Sequence, residues 1–173
     1  MERITLPHLP DHPLQVCLFV QVHNAQYLRQ QLLDGNVEFE YAFLDAAVLS
    51  SRQHALAACF RAINDMLQDR LKSKNVHSEI VFSLSPNNNI SESFRRFGVS
   101  ETTTEILAIK VGNDKMQVEE HLRKHVEGHV VPFTDELLTS VRDEARIQKA
   151  YRVERSSDQA DAFIIGSMAL KGS

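Results

Sequence analysis

The sequence has little cysteine and little glycine, and both shortages exclude kinds of function. It contains two cysteines, Cys17 and Cys59, each inside an apolar run, so we expect small buried side chains rather than a disulfide or a metal-binding set. This usage fits a reducing compartment. The six glycines are scattered along the chain, and no GxGxxG or Walker-type phosphate loop can be built from them. Their distribution weighs against a nucleotide-dependent enzyme.

Long apolar runs and an excess of basic charge are also missing. No apolar run approaches the roughly 18–20 residues that a membrane helix needs. The segment 1–13 contains three prolines and lacks the apolar core of a signal peptide, so we expect an extended lead-in there and no membrane contact. The net charge is −4, so contact with a nucleic acid would need a local basic patch or a basic partner.

Apolar periodicity predicts one domain over 1–173 of the α/β (α+β) class, with a small, mostly antiparallel central sheet flanked by several helices. The predicted strands are 14–22, 37–44, 76–84, 105–112 and 129–133. The predicted helices are 25–34, 50–71, 90–97, 114–128, 134–151 and 157–172. In the longest of them, Leu56, Phe60, Ile63 and Leu67 lie on one face.

The stretch "VFSLSPNNNISESFRRFG", residues 81–98, places three asparagines between a predicted strand and a helix. Asparagine turns a chain sharply, and Asn89 stands three residues before Glu92, as in a capping box. Ile90, Phe94 and Phe97 are predicted to face the core. A turn and cap do not require three asparagines, however, and the start of a helix also favours anions such as phosphate. Both interpretations stay open on the chemistry of the residues.

Two basic clusters could add charge to such an anion site. Arg95 and Arg96 lie on the helix that follows the asparagines, and Lys72 and Lys74 lie in the connection before residue 76. If 76–84 is a strand of about 30 Å and the following helix turns back by about 12 Å, the clusters lie roughly 20 Å apart. A few nucleotides of a single strand cover such a distance. Solvated loops or contact with an acidic protein are the alternatives.

Histidines at 121, 125 and 129 raise the question of a metal site. His121 and His125 would share one face of a helix, which is a spacing that metal pairs use. Gly128 is expected to end that helix before His129, and no nearby cysteine or aspartate cluster completes a ligand set. We therefore expect solvated histidines and no metal. No nucleophile with its base stands out either, so we expect no enzyme.

Several passages together resemble one known family. "LSPNNNISESFRRFGVS", preceded by "SEIVF", resembles the central signature of the kinase-binding subunits of the KEOPS (also EKC) complex, the TPRKB family. "LFVQVHNAQYLRQQLLDG" is similar to the family's first strand and helix, and "VEGHVV" and "EARIQKAYRV" follow in the expected order. The resemblance covers nearly the whole chain, and the asparagine run suggests the eukaryotic branch.

The resemblance implies a non-catalytic subunit without a cofactor. In the family's complex, a metal-dependent synthase makes the N6-threonylcarbamoyladenosine modification of certain tRNAs, and a small atypical kinase acts as a regulatory ATPase. The resemblance implies direct binding to that kinase, contact with the synthase through the kinase, and help in recruiting tRNA by its acceptor end. It also implies a location in the cytoplasm and nucleus. The motif residues 85–92 carry over, whereas the motif names no kinase-interface residues.

Two surfaces are predicted from these considerations. The predicted tRNA-binding residues are Asn87, Asn88, Asn89, Ser91, Arg95, Arg96, Lys72 and Lys74. The last helix is apolar over a wider arc than one buried face needs, so one side is predicted to meet the kinase through Phe163, Ile164, Ile165 and Met168. The alternative for this helix is that all of it is core. The alternative for the chain is an anion- or small-ligand-binding domain or enzyme that uses the turn 87–89.

Overall fold

The computed structural model describes residues 1–112, 114–153 and 158–171, and within them five antiparallel strands form one sheet. The strands are β1 (Glu2–Ile4), β2 (Leu14–Val20), β3 (Ala42–Asp45), β4 (Ile106–Val111) and β5 (His129–Val131). Their order is β1-β2-β4-β3, and β5 pairs with the end of β2 that β1 leaves free. The start of the predicted lead-in is therefore a strand of this sheet.

Eight α-helices surround the sheet within the described residues. They are α1 (Ala25–Leu33), α2 (Arg52–Leu67), α3 (Val76–Leu84), α4 (Ile90–Phe97), α5 (Lys115–His125), α6 (Asp135–Val141), α7 (Glu144–Tyr151) and α8 (Asp158–Leu170). Short 3₁₀ turns lie at Val37–Phe39 and Ala46–Val48. The predicted α+β class and small antiparallel sheet are confirmed. None of the described helices is both long and apolar enough to cross a membrane.

The sheet is buried on both faces. Along β2, Val16 and Leu18 pack into one hydrophobic cluster, while Cys17 and Phe19 pack into another on the opposite face. The first cluster takes side chains from α2, α3 and α6–α8, and the second takes them from α1 and α5. This double burial explains why the central strands read as continuous apolar runs rather than as alternating ones. Both cysteines are buried and free, as predicted.

The prediction of a strand at 76–84 was wrong, because this segment is α3. The side chain of Asn75 accepts hydrogen bonds from the backbone N–H groups of His77 and Ser78, and the Ser78 hydroxyl accepts one from the N–H of Asn75. This reciprocal cap starts a helix. Nearly every side chain of α3 is buried, so the helix has no polar face to reveal its period. The helix is only about 13 Å long. The estimate of roughly 20 Å between the basic clusters assumed a strand at 76–84 and therefore no longer applies.

Other boundaries also differ from the predictions. Only the second half of 37–44 is a strand, because a 3₁₀ turn occupies its first half. The predicted helix at 134–151 is two helices, since Arg142 between them is extended. In α2, Ile63 is buried but Phe60 and Leu67 are exposed, so the apolar face predicted for this helix is buried only in part. The buried face instead carries His54 and mostly alanines.

Candidate functional site

The asparagine turn joins the end of α3 to the start of α4. The Ser85 hydroxyl accepts a hydrogen bond from the Asn87 N–H at 3.2 Å, and the Asn87 side chain accepts one from the Asn89 N–H at 2.9 Å. The Asn89 side chain in turn accepts from the N–H of Glu92 at 3.0 Å. The predicted helix cap at Asn89 is therefore confirmed. Two of the three asparagines hold the turn itself, and Asn88 is exposed on its outside.

The first turns of α4 contain a carboxylate among the arginines. Glu92 lies 2.6 Å from Arg96 and 3.9 Å from Arg95, in each case from guanidinium nitrogen to carboxylate oxygen. Because Glu92 sits at the helix start and pairs with Arg96, the asparagine turn alone is not a strong anion site. Ile90 and Phe94 are partly exposed, so the prediction that they face the core was wrong, and only Phe97 is buried.

A cavity of about 810 Å³ opens beside this turn. Its walls come from the end of α1, the segment 35–43, α3, α4 and the segment 98–102. The apolar and aromatic lining consists of Leu32, Leu33, Phe39, Tyr41, Phe43, Val81, Phe94 and Val99. This volume lies in the upper part of the range for small-ligand pockets.

Three cationic side chains line the same cavity: Arg29, Lys74 and Arg95. Arg29 lies 3.7 Å from Glu101, whereas Arg95 is largely exposed. The Lys74 ammonium lies over Gly35, and a methyl group built on that glycine would be 3.4 Å from the ammonium nitrogen. Gly35 has a φ of +69°, so the end of α1 needs glycine for its backbone as well. Two carboxylates line the cavity as well, one of them Glu101, so the cations exceed the carboxylates by one. An apolar cavity with this small excess of positive charge suits a ligand that is both aromatic and anionic.

The structure brings together some of the predicted tRNA-binding residues and separates others. Lys74, Ser91 and Arg95 line the cavity. The asparagines, Arg96 and Lys72 do not line it, although the turn and Arg96 adjoin lining residues in sequence. Arg29 was missed, because a single arginine on an ordinary amphipathic helix carries no signal in the sequence. Its position becomes visible only when the fold brings residues of α1 and α4 to the lining of one cavity.

The loop that carries Lys72 and Lys74 is organised by a buried carboxylate. Glu79 accepts hydrogen bonds from the N–H groups of Lys72 and Ser73, at 3.1 and 2.9 Å, and from the Ser73 hydroxyl at 2.6 Å. Its side chain is almost fully buried. The loop backbone is thus fixed on α3, while both lysine side chains remain exposed.

The histidines of α5 pack into an aromatic cluster rather than pointing into solvent. The Tyr41 hydroxyl lies 2.7 Å from Nδ1 of His121, and the rings of His121 and His125 are 4.5 Å apart, with Phe39 against both. Burial, with a smaller contribution from His125, lowers the pKa of His121. The prediction of solvated side chains was therefore wrong for these two, whereas His129 is exposed. Within the described ranges, no three His, Cys, Asp or Glu side chains converge in a way that could hold a metal ion.

The last helix places its four predicted kinase-binding residues differently. Ile164 and Met168 are buried in the core, Ile165 is half-buried, and Phe163 is 55% exposed. Asp161 accepts hydrogen bonds from the hydroxyls of Ser50 and Ser51 near the start of α2, and Arg61 of α2 donates to the backbone oxygens of Met168 and Lys171. These contacts show that α2 and α8 run side by side in the same direction.

The two parallel helices leave large apolar side chains exposed. Phe163 and Leu170 are seven residues apart on α8, and Phe60 and Leu67 are seven residues apart on α2. We call these four residues the α2–α8 surface. Phe60 and Leu67 were missed as surface residues, because their helical spacing reads as a core face in the sequence.

The α+β domain thus carries a cation-edged cavity and, apart from the residues that line it, the exposed apolar side chains of the α2–α8 surface. The chain belongs to the family described as kinase binding protein CGI-121, whose family model matches residues 19–172. It is 48% identical to a protein named EKC/KEOPS complex subunit cgi121 from Aspergillus fumigatus, over 99% of this chain and 97% of that protein. It is 34% identical to the Schizosaccharomyces pombe protein of the same name, over 96% of this chain and 98% of that one. The resemblance stated from the sequence is confirmed.

Proposed function

We propose that this chain is a non-catalytic subunit of a KEOPS/EKC complex that binds a small protein kinase and helps to recruit tRNA for N6-threonylcarbamoyladenosine modification. The single observation that carries this proposal is that none of the four residues of the α2–α8 surface lines the cation-edged cavity, which leaves places for two ligands. The family description and the names of the relatives support the kinase as one of them. A synthase subunit is then reached through the kinase, in the cytoplasm and nucleus.

The kinase is assigned to the α2–α8 surface. Large apolar side chains that stay exposed on two adjacent helices are typical of a protein–protein contact rather than of a monomer surface. Aromatic side chains such as Phe60 and Phe163 are enriched at the centres of such contacts. Because Ile164 and Met168 are buried, the interface that we propose uses their exposed neighbours instead.

The cavity is assigned to the single-stranded acceptor end of tRNA. Proteins bind such strands by stacking unpaired bases on aromatic side chains while cations contact the phosphates. Phe94 is partly exposed and offers an aromatic face, and Arg95 and Lys74 offer the cations. An A-form duplex is too wide for a cavity of this size, so a single-stranded end is the part of tRNA that fits.

Two measurements test these assignments. A tagged chain expressed in its source cell should recover a small kinase, and purified chain should bind labelled total tRNA with an affinity that falls between 50 and 200 mM salt. Replacing Arg95→Glu together with Arg96→Glu should weaken tRNA binding at least tenfold, whereas Lys115→Glu on the exposed start of α5 should not. Unchanged binding in the double variant would exclude this cavity.

The volume of the cavity also fits a second candidate, a small anionic ligand such as a free nucleotide. Competition separates the two candidates. Adenosine monophosphate at millimolar concentration should displace tRNA only weakly if the cavity holds a strand, because a strand makes several stacking and phosphate contacts at once. Complete displacement at micromolar concentration would favour the small ligand.

The isolated chain is expected to have no catalytic activity. The proposal would be contradicted by ATP hydrolysis in highly purified protein that a point change in this chain abolishes.

A further inference from the structure

The end of α3 is held by side chains that come from far along the chain. The last carbonyl groups of a helix have no partners within it. In α3 the Tyr151 hydroxyl donates to the Leu84 oxygen, and the Lys171 ammonium donates to the Phe82 oxygen at 2.5 Å. Both donors come from the C-terminal quarter of the sequence. The last turn of α3 therefore depends on α7 and on the end of α8.

Lys171 also reaches the asparagine turn itself. Its ammonium nitrogen lies 3.2 Å from the backbone oxygen of Asn87 and 3.6 Å from the centre of the Phe82 ring. The residue is only 8% exposed. A buried ammonium is unfavourable unless acceptors surround it, and burial lowers the pKa of Lys171 to about 8. The position of the Lys171 ammonium is therefore set by these specific contacts, in contrast to that of a solvated lysine.

The same residue is tied to α2 through its backbone. Arg61 donates to the backbone oxygen of Lys171 at 3.2 Å and to that of Met168. Arg61 directly follows Phe60 of the α2–α8 surface. Hydrogen bonds therefore connect Arg61, the neighbour of Phe60 in sequence, through Lys171 to Asn87.

We propose that Lys171 is a positioning residue that holds the asparagine turn beside the cavity, and that it transmits binding at the α2–α8 surface to that turn. The transmission rests on the proposed function, in which the kinase occupies the α2–α8 surface and tRNA occupies the cavity. Because such coupling is reciprocal, kinase binding strengthens tRNA binding by the same factor by which tRNA binding strengthens kinase binding. The holding role of Lys171 does not depend on the identity of either ligand.

The holding role is tested in the full-length chain by Lys171→Met, which keeps an unbranched side chain and removes the ammonium. Amide exchange measured by NMR should become at least fivefold faster at Asn89 and Glu92, whose N–H groups donate hydrogen bonds to asparagine side chains of the turn. Exchange at Leu107 in the central strand should stay within twofold, and Lys171→Arg should restore part of the protection. The matched control is Lys115→Met, which removes an exposed lysine from α5 and should change neither. Unchanged exchange at Asn89 and Glu92 in Lys171→Met would overturn the proposal.

The transmission is tested with labelled total tRNA and the kinase recovered by the tagged chain. Adding kinase to the wild-type chain should slow exchange at Asn89 and tighten tRNA binding at least threefold. In Lys171→Met both effects should disappear while the kinase still binds. A kinase that binds without changing the turn would overturn the transmission. Failure of the wild-type chain to bind tRNA would instead refute the assignment of the cavity, and the exchange data would still decide the role of Lys171.

Discussion

Arg95 and Arg96 are adjacent in sequence but differ in how much of their charge a ligand can use. The side chain of Arg95 is 75% exposed and lies 3.9 Å from Glu92, whereas that of Arg96 is 29% exposed and lies 2.6 Å from the same carboxylate. The charge of Arg96 is thus largely matched within the protein. Arg95 lines the cavity, whereas Arg96 does not.

We therefore predict that Arg95→Gln weakens tRNA binding more than Arg96→Gln does. Loss of one phosphate contact should reduce the dependence of log affinity on log salt concentration by about 0.7. The measurement is a fluorescence titration of labelled tRNA at four salt concentrations for each variant. Equal slopes for the two variants would contradict the assignment of the phosphate contact to Arg95.

His54 and His77 are buried and must be neutral to make their hydrogen bonds. Nδ1 of His54 accepts from the Ser50 N–H, and Nε2 of His77 accepts from the Val111 N–H. Burial lowers the pKa of His54 to about 4 and that of His77 to about 3. The Tyr151 hydroxyl, 2.8 Å from the other nitrogen of His54, extends this network to the end of α3.

These pKa values predict a loss of stability in mild acid. Below a pH of about 6.5, the pKa of histidine in the unfolded chain, the unfolded chain binds protons that the folded chain does not bind. The contribution of the neutral histidines to the free energy of unfolding is therefore complete above that pH and is lost as the pH falls toward 4. Between pH 7 and pH 5 each histidine should lower the free energy of unfolding by about 2 kcal/mol. Urea unfolding at the two pH values measures the difference.

The control for this prediction is a comparison of two histidine variants. His54→Gln should roughly halve the pH dependence even if it lowers the stability at pH 7, whereas His129→Gln at an exposed position should leave the pH dependence intact. Full pH dependence in His54→Gln would show that other groups titrate in this range.

Residues could be predicted from sequence where local chemistry decides their role. The cap at Asn89 follows from the residue types and spacing in 85–92, and the burial of Cys17 follows from its apolar run. Arg29 and Lys171 carry no local signal, because their roles arise from packing between segments distant in sequence. Ile90 and Phe94 were misplaced for a related reason, since helical spacing predicts a common face but not whether that face meets the core or a cavity.

At the scale of elements, α3 shows the same limit. Val76, Ile80 and Leu84 recur every four residues, which fits a helix as well as a strand, and the intervening side chains are also apolar. A helix buried on all sides has no polar stripe, so periodicity does not distinguish it from a buried strand. The signal that did exist was the pair Asn75 and Ser78, which forms the reciprocal cap.

The division of α8 into a buried and an exposed side predicts opposite outcomes for neighbouring residues. Phe163→Glu should keep the melting temperature and weaken kinase binding at least tenfold, because a large exposed apolar contact is lost and a charge is placed in the interface. Ile164→Glu should lower the melting temperature strongly, because it buries a charge in the core. Thermal melting and a kinase pull-down with each variant give the two readouts.

Met116→Glu is the matched control, since Met116 is also a large exposed apolar residue but lies on α5 against the opposite face of the sheet. It should change neither the melting temperature nor kinase binding. Normal kinase binding by Phe163→Glu would place the kinase elsewhere on the chain.

At the scale of the whole molecule, α3 stands between the two proposed surfaces. It packs against α2 in the main hydrophobic cluster, and Ser78 and Val81 on α3 line the cavity. Because α3 is almost entirely buried, it separates the α2–α8 surface from most of the cavity. Ligands on either side should therefore be separable by point changes, even though Lys171 connects the two sides.

Two exposed phenylalanines provide a matched pair for that separation. Phe94 is 37% exposed and lines the cavity, and Phe60 is 41% exposed on the α2–α8 surface. Phe94→Ala should weaken tRNA binding at least fivefold, since stacking on an aromatic ring is worth about 1–3 kcal/mol per base. It should leave binding of the isolated chain to the kinase unchanged.

Phe60→Ala should do the reverse, weakening kinase binding and leaving the affinity of the isolated chain for tRNA intact. Each variant thus serves as the control for the other, because both replace a phenylalanine of nearly the same exposure with alanine. Both affinities should be measured on the same preparations, with melting temperatures to confirm that each variant is folded. If either substitution weakens the binding of both ligands by the same factor, the two surfaces form one site. The proposal that the chain holds kinase and tRNA at separate sites would then be wrong.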